Sequence, residues 1–330
     1  MKAEAVVAVE PWRVEYRPVE VPEPGDDDVV VRLTHSWISN GTEGSFIRGE
    51  RIAGDTPRAD SDPMPFPHVP GYQKSGIVER VGAAVGHVRP GDRVFASVSR
   101  VDGMFYDHGG HINPAITHGS QVWKLPDGLD SLAASGLVLT QVGLNTGSRP
   151  TAGPGDCAVV IGDGLVGHWT AQTLQDRGAR VLMLGRHADR LARLAVRDGD
   201  ATLIESDGWF DAIVAWASEG VQVVADTVGS IETIEALLTA MRHNGHIASA
   251  GFYGPRGRID IQQLRAREIT LHAPAGWSAN RMETTLRMLA EGRLTTLPLI
   301  THRFAAARAA EAYGMILHRR PGVLGVALDW

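Results

Sequence analysis

The 330-residue sequence contains a single cysteine, Cys157, and has a formal net charge of −6. One cysteine excludes a disulfide within the chain and a zinc lobe built from several cysteines. The negative net charge and the lack of a basic stripe argue against a nucleic-acid partner. Cys157 opens an apolar run, so we expect it to be a small buried core residue.

The sequence also lacks an apolar stretch of about 20 residues, the length that a membrane-spanning helix needs. Residues 1–5 carry an acidic side chain and no sustained apolar run, so they do not resemble a signal peptide. We therefore expect no membrane partner and a cytoplasmic location. The chain is 43% hydrophobic and 21% charged, as is ordinary for a globular protein, and its length suggests about two domains.

The clearest local signal is a glycine motif that directly follows an apolar run. After residues 158–161 the pattern G-x-G-x-x-G places glycines at 162, 164 and 167, ahead of a helix-compatible segment and a second apolar run. In dinucleotide-binding proteins Gly162 would permit the turn, Gly164 would let the backbone approach a pyrophosphate, and Gly167 would let the helix pack on the strand. The first helical residues, Leu165 and Val166, then face the phosphates with free N–H groups.

The pattern of elements changes along the chain. The first third consists of short strand-like runs between glycine and proline turns, which is typical of a barrel or sandwich. From Cys157 onward, strand-like and helix-like segments alternate, which predicts a parallel sheet with helices on both faces. The segment 48–70 is rich in proline, aspartate and glycine and is predicted to be a surface loop, either a lid or a connector. Helices are predicted at 130–143, 282–291 and 305–317, and a last strand at 323–328.

Five short strings, spread over the chain, carry a resemblance to a known family. They are Asn40-Gly41-Thr42-Glu43, Gly71-Tyr72-Gln73, Pro90-Gly91-Asp92-Arg93-Val94, Leu125-Pro126-Asp127-Gly128 and Gly143-Leu144-Asn145-Thr146-Gly147. Together they resemble the medium-chain dehydrogenase/reductase (alcohol dehydrogenase-like) superfamily over essentially the whole chain. The resemblance implies an α/β fold and a homodimer. Its expected domains are a GroES-like β-rich catalytic domain at 1–143, a Rossmann doubly wound parallel sheet at 144–274, and a return segment at 275–330 that completes the catalytic domain.

Three further strings resemble one branch of that superfamily, the branch that contains 3-hydroxyethyl bacteriochlorophyllide a dehydrogenase. They are residues 38–43, the run Thr301-His302-Arg303-Phe304 with Ala312-Tyr313, and the terminal Leu328-Asp329-Trp330. We infer no tetrapyrrole substrate from these short matches.

The residues at the family's zinc-ligand positions are the wrong chemical types for zinc. The resemblance places Asn40, Tyr72 and Val142 where zinc-dependent members have cysteine, histidine, and cysteine or aspartate. An amide, a phenol and an isopropyl group do not form a tetrahedral N/S site. The loop with Asp107, His108, His111 and His118 offers possible metal ligands, but solvated or hydrogen-bonded histidines are the simpler interpretation. The sequence predicts an enzyme without zinc.

Without a Lewis acid, hydrogen-bond donors must stabilise the substrate oxygen during hydride transfer. Tyr72 is the first candidate, and Thr42, which matches the family hydroxyl that relays a proton, is the second. Asn40 is a candidate to orient the substrate, together with Gln73, and Glu43 matches the family acid after the threonine. All of these side chains have the alternative role of filling the space that zinc has vacated. His111 is a candidate acid or base because the pKa of histidine lies near neutrality, with a structural role as the alternative.

The end of the second Rossmann strand bears on the choice of nicotinamide. NAD-binding sites place an acid there, whereas this sequence has Gly185-Arg186-His187 with Arg190 one turn later. Gly185 would leave room for a 2′-phosphate, and Arg186 would bind it, so NADP(H) is favoured over NAD(H). The alternative is that Arg186 is a solvent-facing charge. The family resemblance adds Thr146, Thr227, Gly251 and Phe252 to the predicted cofactor-binding residues.

These observations predict a zinc-independent, NAD(P)H-dependent oxidoreductase that interconverts a small secondary alcohol and a ketone. Two alternatives remain open at this point. One is a reductase of the carbon–carbon double bond of an enone or quinone, and the other is a non-catalytic NADP(H)-binding sensor.

Overall fold

The structure is a computed structural model that describes residues 1–254 and 257–330. The chain forms two compact units. The first comprises Met1–Val138 with Met282–Trp330, and the second comprises Leu139–Arg281.

The strands are numbered in chain order. Those of the first part of the chain are β1 Lys2–Glu10, β2 Arg13–Glu20, β3 Asp28–Ile38, β4 Arg51–Ala53, β5 Thr56–Pro57, β6 Lys74–Val81, β7 Arg93–Ala96, β8 Ser99–Arg100, β9 His108–Gly109, β10 Ile112–Asn113, β11 Ala115–His118 and β12 Val122–Lys124. Those that follow are β13 Cys157–Ile161, β14 Arg180–Gly185, β15 Ala201–Ile204, β16 Val221–Asp226, β17 Met241–Ser249, β18 Thr270–His272, β19 Ile300–Ala305 and β20 Gly325–Asp329.

The α-helices are α1 Asn40–Ile47, α2 Ser131–Ala134, α3 Leu137–Ser148, α4 Leu165–Asp176, α5 Ala188–Leu191, α6 Trp209–Trp216, α7 Ile231–Leu237, α8 Ile261–Arg265, α9 Ala279–Ala290 and α10 Ala309–Leu317.

The first unit is β-rich. Across the residues that the structure describes, its larger sheet has the order β12-β7-β6-β3-β20-β19, with β11 also on β3, and a second sheet has the order β10-β1-β2. The return strand β20 pairs antiparallel with β3, placing Ala327 opposite Trp37. Helix α10 packs Ala312 and Ile316 into a core that also contains Ile47 and Val326. The last 49 residues are therefore part of this unit.

The second unit is built on a parallel sheet with the order β15-β14-β13-β16-β17-β18 within the described ranges. Successive residues of β13 alternate between two cores: Val159 and Ile161 face one side, while Ala158 and Val160 face the other. A strand buried on both faces reads as a continuous apolar run, which is why the sequence reveals it clearly. The predicted α/β fold, with a β-rich unit and a unit built on a parallel sheet, is confirmed, and Cys157 is buried as expected.

Several predicted boundaries were wrong. The helix predicted at 130–143 is two helices, α2 and α3, and α3 continues to Ser148. Between them, Gly136 packs so closely on Trp37 that a Cβ atom there would lie 2.6 Å from the indole ring. The helix predicted from 305 begins at Ala309, after strand β19 and a short 3₁₀ turn. The segment 48–70 contains the β4–β5 hairpin, and its Arg51 and His68 are buried, so it is more than a surface loop.

Candidate functional site

The glycine motif forms a sharp turn between β13 and α4. Gly162 has φ of +112°, a conformation that side chains disfavour, and a Cβ atom there would lie 2.6 Å from Oγ1 of Thr227. Gly164 precedes the first residue of α4 and has no atom within 4 Å of an added Cβ, so the space beside it is open. Leu165 and Val166 form the first turn of α4, where backbone N–H groups lack partners within the helix. This combination fits an anionic dinucleotide.

Asp163, inside the glycine motif, organises the neighbouring loop. Its Oδ2 accepts hydrogen bonds from the backbone N atoms of Arg186 and His187, both at 2.7 Å, and lies 3.0 Å from Nδ1 of His187. Burial raises the pKa of Asp163, but the hydrogen bonds from His187 and Arg186 lower it by more, so its pKa lies below the usual range. Asp163 is therefore ionised, and its carboxylate holds the loop after β14 in place.

The expectation that Gly185 leaves room for a 2′-phosphate was wrong. A Cβ atom on Gly185 would lie 2.6 Å from Oδ2 of Asp163, so the Asp163 side chain fills the space beside this glycine. An acidic side chain therefore does lie at the end of β14, but it is Asp163, which comes from the glycine turn after the neighbouring strand β13. The sequence signal that could have revealed this contact is an acidic residue within G-x-G, combined with a glycine at the end of the next strand.

Two arginines near this loop have carboxylate partners. Nε of Arg186 lies 2.6 Å from Oε2 of Glu205, although 69% of the Arg186 side chain remains exposed. Nη1 of Arg190 lies 3.5 Å from Oδ1 of Asp163. Arg186 and Glu205 line a cavity of about 470 Å³ together with Trp209 and residues 206–208. Arg186 is therefore the more accessible of the two cations.

A second buried acid, Asp226, shapes the loop after β16. Its carboxylate accepts hydrogen bonds from the backbone N atoms of Val228 (3.0 Å), Gly229 (2.9 Å) and Ser230 (3.1 Å), and from the hydroxyl of Tyr253. An aspartate at a strand end followed by small residues is typical of such a turn. Sequence reasoning missed this role of Asp226.

The remaining predicted cofactor residues divide into two groups. Oγ1 of Thr227 donates to the Ile161 carbonyl (2.9 Å), so this residue lies directly against the glycine turn. Gly251 packs on the same loop, since a Cβ atom there would lie 2.1 Å from the backbone N atom of Gly229, and the adjacent Phe252 is 39% exposed. Thr146, by contrast, is fully buried, and its hydroxyl donates to the Val142 carbonyl within α3 (2.8 Å).

In the β-rich unit, the predicted catalytic residues converge on the start of helix α1. The Tyr72 ring is half-buried, and its hydroxyl hydrogen bonds with the side chains of Ser39 and Thr42. Burial and the nearby Glu43 carboxylate raise the pKa of Tyr72 to about 12, although those two hydrogen bonds and Arg51 lower it. At neutral pH the phenol therefore keeps its proton and remains a hydrogen-bond donor.

Beneath this group lies a buried acid–imidazole pair. Oε1 of Glu43 accepts from the backbone N of Ser39 (2.7 Å), and Oε2 lies 3.0 Å from Nε2 of His111 and accepts the hydroxyl hydrogen of Tyr313. Glu43 is 2% exposed and His111 is 0% exposed. Neither reaches solvent, so both act through their neighbours. In the sequence, Tyr313 contributes only to the family resemblance, and no role was predicted for it.

Asn40 and Gln73 differ in what they offer a substrate. Nδ2 of Asn40 donates to the Leu324 carbonyl (2.6 Å), while its Oδ1 is buried without a hydrogen-bond partner among the described residues. An acceptor in that condition fits a ligand hydroxyl. Gln73 is fully buried, and its Nε2 lies 3.2 Å from the Trp37 carbonyl, so it belongs to the interior of the sheet.

The residues at the zinc-ligand positions do not fit the metal. Asn40 engages its amide nitrogen with Leu324, Tyr72 is a protonated phenol at neutral pH, and Val142 has no donor atom. Structural and catalytic zinc sites use thiolate, imidazole or carboxylate ligands. In the histidine-rich loop, His108 lies 2.7 Å from Asp107 and His118 lies 2.8 Å from Ser120, each with its own partner.

The comparisons with known proteins agree with this architecture. A model of the alcohol dehydrogenase GroES-like domain matches residues 25–127, and a model described as zinc-binding dehydrogenase matches residues 166–291. The chain is 28% identical to the 2-desacetyl-2-hydroxyethyl bacteriochlorophyllide A dehydrogenase of Cereibacter sphaeroides, over 100% of this chain and 99% of that protein. No helix in the described ranges is long and apolar enough to cross a membrane.

Solved structures show the same fold at lower identity. An alcohol dehydrogenase from Escherichia coli CFT073, complexed with NADH, superposes with a TM-score of 0.85 at 19% identity, covering 100% of this chain and 99% of that one. A protein from Sinorhizobium meliloti 1021, bound to NADP, superposes with a TM-score of 0.82 at 21% identity over 100% of both chains. The chain therefore belongs to the medium-chain dehydrogenase/reductase superfamily and is one of its alcohol dehydrogenase-like oxidoreductases.

Proposed function

We propose that this protein is a zinc-independent, NAD(P)H-dependent oxidoreductase that interconverts a small secondary alcohol and a ketone. The observation that carries the proposal is the cluster of Tyr72, Ser39 and Thr42 hydroxyls around the family's zinc-ligand positions. In a fold that offers hydroxyl donors there and, among the residues that the structure describes, no group of metal ligands, hydrogen bonds must stabilise the reacting oxygen.

The residues present also fit the nicotinamide cofactor that the family uses. Gly164 leaves open space for a pyrophosphate, and the first turn of α4 offers N–H groups to it. Thr227 contacts the same turn, and Gly251 and Phe252 pack on the loop that follows Thr227. When bound, the nicotinamide supplies or accepts the hydride. The relatives support this assignment, because one is complexed with NADH and another is bound to NADP.

Tyr72 is proposed to act at the substrate oxygen. Its phenol donates a hydrogen bond to the carbonyl and then gives up its proton as the oxygen becomes an alkoxide. Alkoxide is a much stronger base than phenolate, so this transfer is favourable even with the pKa of Tyr72 at about 12. The Ser39 and Thr42 hydroxyls stabilise the phenolate by donating hydrogen bonds to it, and the phenolate regains its proton from solvent water before the next turnover.

The test of this role compares Tyr72→Phe with Thr42→Val in ketone reduction. We expect kcat to fall by about 10²- to 10⁴-fold in Tyr72→Phe, the usual range for a lost proton donor, while cofactor binding is unchanged. Thr42→Val is expected to reduce kcat less, because Ser39 still contacts the phenol. Wild-type kcat in Tyr72→Phe would disprove the assignment.

Product analysis separates the carbonyl reaction from the alternatives. With an enone substrate, a carbonyl reductase yields an unsaturated alcohol, whereas a double-bond reductase yields a saturated ketone. A protein that saturates with NADPH but turns over none of a panel of ketones, alcohols and enones would be a sensor. The name of the Cereibacter relative, a dehydrogenase of a hydroxyethyl group, supports the carbonyl–alcohol reaction.

We favour NADP(H) over NAD(H) because Arg186 presents an accessible guanidinium beside an open cavity at the end of β14. A guanidinium binds a 2′-phosphate through two parallel hydrogen bonds. Titrations of NADPH and NADH with the wild type and Arg186→Ala test this. We expect the variant to lose about ten-fold or more in NADPH affinity and little in NADH affinity. Equal affinities before and after the change would overturn the preference.

A homodimer is also proposed, as in many members of the family. Strand β18 ends the parallel sheet in the described ranges, and its Leu271 is 42% exposed, which suits pairing with a second copy. Light scattering after gel filtration should give twice the mass of one chain, and Leu271→Asp should shift the protein towards the mass of a monomer. A wild-type protein with the mass of one chain at micromolar concentration would exclude the dimer.

A further inference from the structure

The Glu43 carboxylate is surrounded by three donors from separate parts of the chain. They are the backbone N–H of Ser39, the imidazole of His111 and the hydroxyl of Tyr313. All of the side chains in this group are nearly or completely buried. A buried carboxylate with three hydrogen-bond donors is stabilised in its charged form, since each donor replaces a lost water contact.

The direction of each hydrogen bond in this network follows from the chemistry of the groups. An ionised Glu43 only accepts, so Nε2 of His111 is the protonated nitrogen. Nδ1 of His111 lies 2.8 Å from Oγ of Ser36, which also accepts the indole N–H of Trp330 at 2.8 Å. Since indole can only donate, the Ser36 hydroxyl is free to donate to Nδ1. By donating to Ser36, Trp330 thus directs the Ser36 hydroxyl hydrogen to Nδ1 of His111, which leaves Nε2 as the protonated nitrogen that faces Glu43.

The arrangement Ser36–His111–Glu43 has the connectivity of a hydrolase triad, but its accessibility excludes that activity. Ser36 is 0% exposed, and Trp330 occupies one side of its oxygen. A nucleophile must reach its substrate, and this hydroxyl meets only protein. The network therefore acts on neighbouring side chains.

Ser39 connects the network to the surface of the site. Its backbone N–H binds Glu43 at 2.7 Å, and its side chain hydrogen bonds with Tyr72. Gly71, with φ of +91°, allows the imidazole to lie beneath this segment, because a Cβ atom there would be 2.6 Å from Nε2 of His111. Ser39 thus contacts both the buried Glu43 carboxylate and Tyr72, the proposed proton donor.

We infer that His111, Tyr313 and Trp330 are positioning residues that hold the Glu43 charge beneath Ser39 and so fix Tyr72 and Thr42 for reaction. This inference rests on the proposed role of Tyr72. The charged and titratable groups facing Tyr72 are Glu43 from α1, Arg51 from β4, and Tyr313 from α10.

The experiment compares His111→Phe, which removes the donor, with His111→Gln, whose side-chain amide reaches about as far as Nε2 and still donates. We expect kcat for ketone reduction to fall about ten-fold or more in His111→Phe and only about two-fold in His111→Gln, with cofactor KM unchanged in both. A purely structural role would lower thermal stability in both variants without this difference in kcat.

A double-mutant cycle tests whether His111 works through Glu43. We expect kcat of Glu43→Gln/His111→Phe to equal that of Glu43→Gln alone, because the second change removes a donor whose acceptor charge is already gone. Additive losses, or a folded His111→Phe protein with wild-type kcat, would overturn the inference. If Tyr72→Phe itself retains wild-type kcat, the proposed function fails, whatever the His111 variants show.

Discussion

A Cβ atom on Gly167 would lie 2.0 Å from the carbonyl oxygen of Gly162, closer than any real contact allows. Glycine at 167 lets α4 pack directly on the end of β13. Gly164 in the same motif has no atom within 4 Å of an added Cβ. The two glycines therefore have separable roles, one in packing and one in ligand approach.

Gly167→Ala and Gly164→Ala should consequently have different effects. We expect Gly167→Ala to lower the thermal midpoint and to weaken cofactor binding, because α4 must shift away from β13. Gly164→Ala, at φ of −81°, should keep the wild-type midpoint but lose cofactor affinity, because the methyl group occupies the open space. Differential scanning calorimetry and NADPH titration measure the two effects. Equal thermal midpoints for both variants would contradict this division.

Features signalled by neighbouring residues were predicted correctly, whereas contacts between residues far apart in the sequence were not. The β13 turn and α4 were predictable because the signal for them, an apolar run followed by G-x-G-x-x-G, lies within residues 158–167. The position of Asp163 against Gly185 was not, since it requires the parallel pairing of β13 with β14.

The candidate site shows the same pattern. Tyr72, Thr42, Glu43 and His111 were identified by resemblance and do converge in the β-rich unit. Tyr313 contacts Glu43 across 270 residues of sequence, a relationship that no local spacing reveals.

The hydroxyl of Tyr313 should contribute measurably to stability. Burial and the adjacent Glu43 raise the pKa of Tyr313 well above its ordinary value, so the phenol is a permanent donor to a buried carboxylate. Tyr313→Phe removes a hydrogen bond to a charged group and should cost about 1.5–3 kcal/mol of unfolding free energy. Urea-induced unfolding measures this loss. Tyr16→Phe, at a partly exposed position on β2, is the control and should change the free energy by less than about 0.5 kcal/mol.

Because Arg186 is held in an ion pair with Glu205, we expect removal of the Glu205 carboxylate to raise the affinity for NADPH. Glu205→Gln removes the carboxylate that holds Arg186 and leaves the guanidinium for a 2′-phosphate. Exposed pairs contribute about 0.2–1 kcal/mol, so NADPH affinity should rise by up to about five-fold while NADH affinity stays constant. Asp207→Asn removes the same charge from the same cavity without breaking the pair, and it serves as the matched control. An equal gain in both variants would indicate general electrostatics and not release of Arg186.

The buried amine of Lys74 should make the free energy of unfolding depend on pH, and this effect does not involve catalysis. It is 0% exposed in β6, its Nζ donates to the Ser97 carbonyl, and burial lowers its pKa from 10.5 to about 7. Between these two values the unfolded chain binds a proton that the folded protein does not, so the free energy of unfolding increases as pH rises. The slope approaches about 1.4 kcal/mol per pH unit for one proton. This stabilisation is complete only above pH 10.5 and is lost as pH falls towards 7.

Lys74→Met should remove this contribution. We expect the variant to be more stable than the wild type at pH 7, because no buried amine requires deprotonation, and the advantage should shrink steadily as the pH approaches 10. Urea unfolding at half-unit intervals of pH measures the two curves. Lys2→Met, at an exposed position on β1, should leave the wild-type slope unchanged. Parallel curves for Lys74→Met and wild type would mean that Lys74 remains protonated inside the sheet, with the Ser97 carbonyl stabilising the charge.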